Sequence, residues 1–336
     1  MAAETETLRT IRDFIRWGAS RFSREGLFFG HGTDNALDEA VVLVLHALHL
    51  PPELPAAYLD SRLTTQEREQ VLALLQRRIE ERVPAAYLTH RAVFAGLEFY
   101  VNEWVLVPRS PIAELIEAGF EPWVQQDSVG RVLDLCTGSG CIAVGCAHRF
   151  PDASVDAVDV SPQALEVARI NVERHGLEDR VEPILSDLFD ELKGRRYDLI
   201  VSNPPYVSSA EMAGLPREYR HEPELALEAG QDGMAVVSRI LEEAADHLRP
   251  GGVLVVEVGA SADLLLERYP EAVLLCTPKC KDMLVDLLCV PAQRIQVTAG
   301  IGRVAARVQW QQRRVGQAGH ADVHDHRVYL EVRILG

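Results

Sequence analysis

From Val129 onward the chain alternates short apolar runs with helix-length segments, and no other feature constrains the fold as tightly. Strands are expected at 131–135, 154–159, 181–185, 197–202 and 252–258, and helices at 140–149, 162–175, 232–248 and 261–268. Strands joined through helices of this length run parallel and are covered on both faces, so the expectation is an α/β fold around a parallel sheet. Open sheets of this kind carry ligands beyond the carboxyl ends of their strands. The residues at those ends are therefore where chemistry is sought.

Val132-Leu133-Asp134-Leu135-Cys136-Thr137-Gly138-Ser139-Gly140 reads as a strand entering a glycine turn and then a helix. Glycines at 138 and 140 let backbone approach a ligand, and a helix start offers free N–H groups. The third glycine of the dinucleotide fingerprint is replaced by Ala143, so a pyrophosphate is not provided for. Asp159 ends the second strand, where a carboxylate takes ribose hydroxyls. Asp187 follows the third, placed to accept from an adenine amino group while Leu188 packs on the ring. Each acid has a plainer alternative: Asp134 orienting the turn, Asp159 capping the next helix in competition with Ser161, Asp187 solvated. Taken in register, they indicate a nucleoside that is not anionic. S-adenosylmethionine, with its sulfonium cation, fits better than NAD.

Asn203-Pro204-Pro205-Tyr206 follows the apolar strand 197–202. Two consecutive prolines cannot continue a ladder, so the backbone is forced into a fixed turn. The Asn203 carboxamide oxygen and the Pro204 carbonyl form an acceptor pair beside an aromatic ring. Such a pair suits a planar group bearing an NH2, which leaves an amide and an adenine both open.

Residues 1–90 read as helical, with segments at Thr7–Phe22 and Asp34–Leu48 and a third opened by the capping box Thr64-Thr65-Gln66-Glu67. Between Ala92 and Pro108 a β-hairpin is expected, its strands running through Phe94–Val101 and Val105–Val107 about a turn at Asn102-Glu103. Pro111 to Ala118 is expected to be a short linking helix. The net charge of −16 argues against a protein that grips a long nucleic-acid backbone and is compatible with a basic protein partner. No apolar run approaches the ~18 residues of a membrane span. Cys136, Cys141 and Cys146 crowd one strand–helix junction, a poor disulfide framework, so reduced thiols and a cytoplasmic location are expected.

On these motifs the chain resembles the class I S-adenosylmethionine-dependent methyltransferases with an N-P-P-Y motif, and within them the protein-glutamine N5-methyltransferases. Arg82-Val83-Pro84-Ala85-Ala86-Tyr87-Leu88 and Phe94-Ala95-Gly96-Leu97-Glu98-Phe99 are similar to that group's N-terminal domain. Arg109-Ser110-Pro111-Ile112-Ala113-Glu114-Leu115 is similar to the subgroup acting on large-subunit ribosomal protein L-three, whereas release-factor methyltransferases carry R-P-E-T-E there. Glu218-Tyr219-Arg220-His221-Glu222-Pro223 supports the same subgroup. The resemblance implies a Rossmann-like parallel sheet behind a small N-terminal helical domain and a linking β-hairpin, with ribosomal protein L-three as the basic protein partner and no membrane partner. It implies boundaries at 1–90 for substrate recognition, 91–120 for hairpin and linker, and 121–270 for the catalytic domain. The expected cofactor set is Asp134, Cys136, Thr137, Gly138, Ser139, Gly140, Asp159, Asp187, Leu188 and Asn203. Asn203, Pro204 and Tyr206 are the expected catalytic residues, with Pro205 joining them against the substrate.

The resemblance stops near residue 270. The stretch 271–336 is expected to be an atypical tail with nine Lys and Arg against six Asp and Glu, and only 327–335 suggests a strand. A shifted reading frame and a divergent tail both account for such a change. His320, His324 and His326 have ligand-like spacing but read better as a solvated tail, and Cys276 and Cys280 lack partners for zinc, so no metal is expected.

Overall fold

The computed structural model describes residues 6–259, 262–269, 273–275 and 286–291. The histidines at 320, 324 and 326, Cys276, Cys280 and the strand expected at 327–335 lie outside the described residues.

Three helices open the chain, α1 (Ile11–Arg24), α2 (Ala36–Ala47) and α3 (Thr65–Glu81). The capping box expected at α3 is present, with Thr64 and Glu67 each satisfying the other's backbone N–H. A second box, Thr10 with Asp13, starts α1 at Ile11, four residues after the expected start at Thr7. Phe14, Trp17 and Phe22 of α1 pack with Leu43 and Val44 of α2 and Val71 and Leu75 of α3. Arg78 is wholly buried on α3, its guanidinium 2.5 Å from Glu39 on α2 and 3.3 Å from Glu218 far along the chain.

After α4 (Ala85–Thr89) comes the hairpin, but its turn is not at Asn102-Glu103. Strands β1 (Ala92–Phe94) and β2 (Leu97–Phe99) are joined by Ala95-Gly96, with φ +47° and +72°. Positive φ at both central residues is the type I′ geometry that matches strand twist. Asn102 makes a local turn of its own, its side-chain oxygen accepting from Trp104 N at 3.1 Å. The linking helix follows as α5 (Ile112–Glu117).

The sheet contains β3 (Arg131–Leu135), β4 (Ser154–Asp159), β5 (Val181–Leu185), β6 (Tyr197–Ser202), β7 (Leu248–Gly259), β8 (Val273–Leu275) and β9 (Asp286–Pro291) in the order β5-β4-β3-β6-β7-β9-β8. The first five run parallel, as the alternation predicts, and β9 lies antiparallel between β7 and β8. No element is expected from the sequence at 273–291, so β8 and β9 are additions made by the structure. Helices α6 (Cys141–Arg149), α7 (Pro162–Arg174), α8 (Ser209–Met212), α9 (Ala235–His247) and α10 (Ala262–Arg268) fill the crossovers and connections. Strand residues alternate between faces. Val132, Val155 and Leu199 pack with α5 and α6, and Leu133, Ile200 and Leu254 with α9.

Candidate active site

β3 and β6 are neighbours with Leu135 opposite Ser202, and the Ser202 hydroxyl donates to the Leu135 carbonyl at 2.8 Å. From β3 the chain crosses over toward β4, and from β6 toward β7 on the other side. Such a reversal opens a crevice at the carboxyl ends of the two strands. The glycine turn leaves one wall of it and the Asn-Pro-Pro-Tyr turn the other.

On the glycine side, Thr137 N donates to the Val158 carbonyl at 2.9 Å and its hydroxyl donates to Asp134 at 2.5 Å. Asp134 is wholly buried, and the same carboxylate oxygen accepts from Ala143 N at 3.0 Å in the first turn of α6. Burial pushes this carboxyl up to about 7, against the pull of those two bonds. All of its hydrogen bonds go to the turn and the helix behind it. A side chain built on Gly138 (φ +53°) would meet open space, whereas one on Gly140 would press on Ala168 of α7 at 3.2 Å. Gly138 therefore leaves backbone open to a ligand, and Gly140 lets two helices approach. Cys136 is half-buried, and Ser139 is buried with its carbonyl accepting from Asn171 at 2.8 Å. Asn171 also exchanges two hydrogen bonds with the backbone of Tyr100, tying the hairpin region to the turn. Nothing in its spacing marks that role in the sequence.

Asp159 accepts from Gly138 N at 2.8 Å and from Ser161 N at 2.9 Å. Burial raises its pKa against those N–H groups. Ser161, not Asp159, caps α7, accepting from Ala164 N. Asp187 is exposed and paired with Arg239 of α9 at 2.9 Å. Leu188, with φ +51°, is buried in a cluster with Leu133, Leu135 and Val158.

On the other wall Asn203 is half-buried, and its carboxamide makes no hydrogen bond to any described residue. Pro204 is buried, while Pro205 and Tyr206 are half-buried. The Tyr206 hydroxyl donates to Glu257 at 2.8 Å, and Ser110 donates to the other oxygen of the same carboxylate at 2.5 Å. Beyond Tyr206 the chain is pinned by Val207, whose N–H donates to the Leu227 carbonyl and whose own carbonyl accepts from Ala229 N. Arg109 clamps Glu222 with two bonds of 2.6 and 2.8 Å and stacks over the Tyr219 ring at 5.3 Å. Glu222 also accepts from Val107 N, and His31 Nε2 lies 3.4 Å from it. Burial alone would push Glu222 up; Arg109 and His31 overcome it and hold the carboxyl at about 2. Glu218 accepts from Phe28 N at 3.1 Å and faces Arg78 and Arg82. The segment 217–222 is thus bonded to the helical region on one side and to Val107 and Arg109 of the linker on the other. In the sequence this segment stands out only as part of the family resemblance, and the partners of Glu218, Glu222 and Glu257 carry no local signal.

No group of three or more His, Cys, Asp or Glu suited to a metal occurs among the described residues, and Cys136, Cys141 and Cys146 are free thiols. No helix among the described residues is long and apolar enough to cross a membrane.

A family model described as the methyltransferase small domain matches residues 121–215, and one described as the PrmC N-terminal domain matches residues 13–89. The chain is 56% identical over 267 residues to the ribosomal protein uL3 glutamine methyltransferase of Neisseria gonorrhoeae, covering 79% of this chain and 89% of that protein. The protein of the same name from Xanthomonas campestris is 56% identical over 271 residues, covering 80% of this chain and 87% of its own. Among solved structures, a T. thermophilus 16S rRNA N2 G1207 methyltransferase in complex with AdoMet and guanosine is 21% identical with a TM-score of 0.43, covering 60% of this chain and 49% of that one.

Proposed function

The chain belongs to the ribosomal protein uL3 glutamine methyltransferase family, and on that premise we propose that it transfers a methyl group from S-adenosylmethionine to the side-chain nitrogen of a glutamine in large-subunit ribosomal protein uL3. The observation that carries the reading is the position of Asn203, one residue past Ser202 on β6 and with no hydrogen bond among the described residues, beside β3 and the glycine turn that is open at Gly138.

The residues present fit the cofactor. Gly138 leaves room for close approach, and Asp187 is exposed for a polar nucleoside edge. Asp159 holds Gly138 N through one oxygen, and Asp134 fixes the turn from beneath. When bound, S-adenosylmethionine supplies an electrophilic methyl on a sulfonium.

An amide nitrogen is a poor nucleophile because its lone pair is delocalised into the carbonyl. The Asn203 oxygen and the Pro204 carbonyl each accept one N–H of the target glutamine, orienting its nitrogen and stabilising positive charge as that nitrogen pyramidalises. Catalysis then comes from positioning and electrostatics. Tyr206 packs against the amide plane. The proton leaves after transfer, so no strong base is needed. The net charge of −16 favours a basic protein partner, and the free thiols favour action in the cytoplasm.

The test is methyl transfer from labelled S-adenosylmethionine to purified uL3 by the full chain and by Asn203→Ala. Turnover is expected to fall at least about 100-fold, in the range of a lost transition-state hydrogen bond, while calorimetry shows a smaller loss of cofactor affinity, since the other residues of the cofactor set are intact. An Asn203→Ala protein that methylates uL3 at the parent rate would overturn the assignment.

A further inference from the structure

We propose that Glu257 and Ser110 are positioning residues for the methyl-transfer reaction, acting through the Tyr206 ring. The inference rests on the functional reading above and extends it to residues that touch neither substrate nor cofactor.

Glu257 is 1% exposed on β7, and register places it beside the catalytic turn: Ser202 pairs with Val256, so Asn203 and Glu257 are the next residues on adjacent parallel strands. Its two oxygens each accept one hydroxyl, Tyr206 at 2.8 Å and Ser110 at 2.5 Å, and Ser110 Oγ in turn accepts from Ile112 N at 3.1 Å. Three chain segments are thereby tied at one carboxylate: the linker before α5, the end of β7 and the turn after β6. A carboxylate accepts only, so both hydroxyls have their protons directed toward it and neither donor is left to choose another partner. The ring is seated by shape as well. Gly259 has φ +56°, and a Cβ there would collide with the Tyr206 ring. A buried carboxylate is costly unless satisfied. Burial raises this one's pKa, with the two hydroxyls and Arg109 opposing that rise. Two hydroxyls on one buried carboxyl hold the Tyr206 ring against the end of β7, beside the Asn203-Pro204 turn.

Glu257→Gln keeps the volume but turns one acceptor into an NH2 donor. One hydroxyl must then accept, and its own proton loses its partner. Tyr206→Phe keeps the ring in its seat and removes the tether. The experiment measures kcat and KM for uL3, cofactor affinity by calorimetry, and melting temperature for the full chain, Glu257→Gln, Tyr206→Phe and the double variant. Ring mobility of Tyr206 is followed by NMR of tyrosine-labelled protein without substrate. The expected result is about a tenfold loss of kcat in each single variant, no further loss in the double, unchanged cofactor affinity, and faster Tyr206 ring flips in Glu257→Gln. Ser110→Ala, which removes one donor and keeps the carboxylate, is expected to show a smaller kcat loss of the same kind and covers the case in which Glu257→Gln does not fold. Parent kcat in Glu257→Gln or, should it not fold, in Ser110→Ala overturns the proposal. So do additive losses, or a loss carried entirely by melting temperature. If the parent chain methylates nothing, the functional reading fails instead, and the NMR comparison still decides whether Glu257 holds the ring.

Discussion

Replacing Glu222 by glutamine isolates the charge at the junction between the helical region and the linker at Val107 and Arg109. The carboxylate is buried, accepts two bonds from Arg109 and one from Val107 N, and is held at about 2. Set against an unfolded-state pKa of 4.5, that depression corresponds to about 3 kcal/mol of folding free energy at neutral pH. The same size is expected from leaving the Arg109 cation buried without its counter-charge, about 3–5 kcal/mol. Glutamine keeps an acceptor for Val107 N and for one guanidinium N–H, so the charge is what changes. Urea denaturation of the full chain at pH 7 should show Glu222→Gln about 3 kcal/mol less stable, or roughly 6 °C lower in melting temperature at roughly 2 °C per kcal/mol. Because the folded pKa is depressed, this stability is fully present above 4.5 and is lost as pH falls toward 2. The gap between parent and variant should therefore narrow in acid, by about 1 kcal/mol at pH 3.5. A gap under about 0.5 kcal/mol at pH 7, the size of an ordinary surface change, would refute the reasoning. So would one that stays constant as pH is lowered to 3.5.

Arg78→Ala leaves Glu39 and Glu218 buried without their shared cation, so a loss of about 3–5 kcal/mol is expected in the same denaturation assay; parent stability would show that the two carboxylates find other donors. Asp187→Asn removes an exposed carboxylate whose pairing with Arg239 is worth about 0–1 kcal/mol, so melting temperature should hold while S-adenosylmethionine affinity falls about tenfold, measured by calorimetry; unchanged affinity would remove Asp187 from the cofactor site.

The elements that could be read from the sequence are those whose signal is local. β4, β5 and β6 end where expected because each segment is followed at once by a residue that begins a turn or caps a helix: Ser161 after Asp159, Ser186 after Leu185, and the prolines after Asn203. The hairpin turn was less legible because Ala95 carries no mark of positive φ; only Gly96 beside it hints at a type I′ pair, and the polar Asn102-Glu103 competes as a turn. The pairings that support the site were not legible, although Arg109, Ser110 and Glu222 lie in stretches that carry the family resemblance. Arg109 and Glu222 are 113 residues apart, and Ser110 and Glu257 are 147 apart. A motif marks a segment but not its partner, and which hydroxyl meets which carboxylate depends on how three segments converge.

The three acids at consecutive strand ends show what register does and does not determine. All three stand at the carboxyl edge of the sheet, as a parallel α/β topology requires, yet their chemistry differs with depth. Asp134 lies within β3 on the face covered by α6, so its carboxylate meets Thr137 and Ala143 N and is buried with them. Asp159 is the last residue of β4 and reaches back to Gly138 N. Asp187 lies two residues beyond β5 and is exposed. What differs is depth along the strand: inside the ladder both faces of the sheet are covered, whereas beyond its last residue the chain reaches solvent. A change at Asp134 should therefore act through the shape of the glycine turn and lower stability with affinity. A change at Asp187 should act on affinity alone. Measuring both quantities for both residues separates a carboxylate that builds the pocket from one that faces into it.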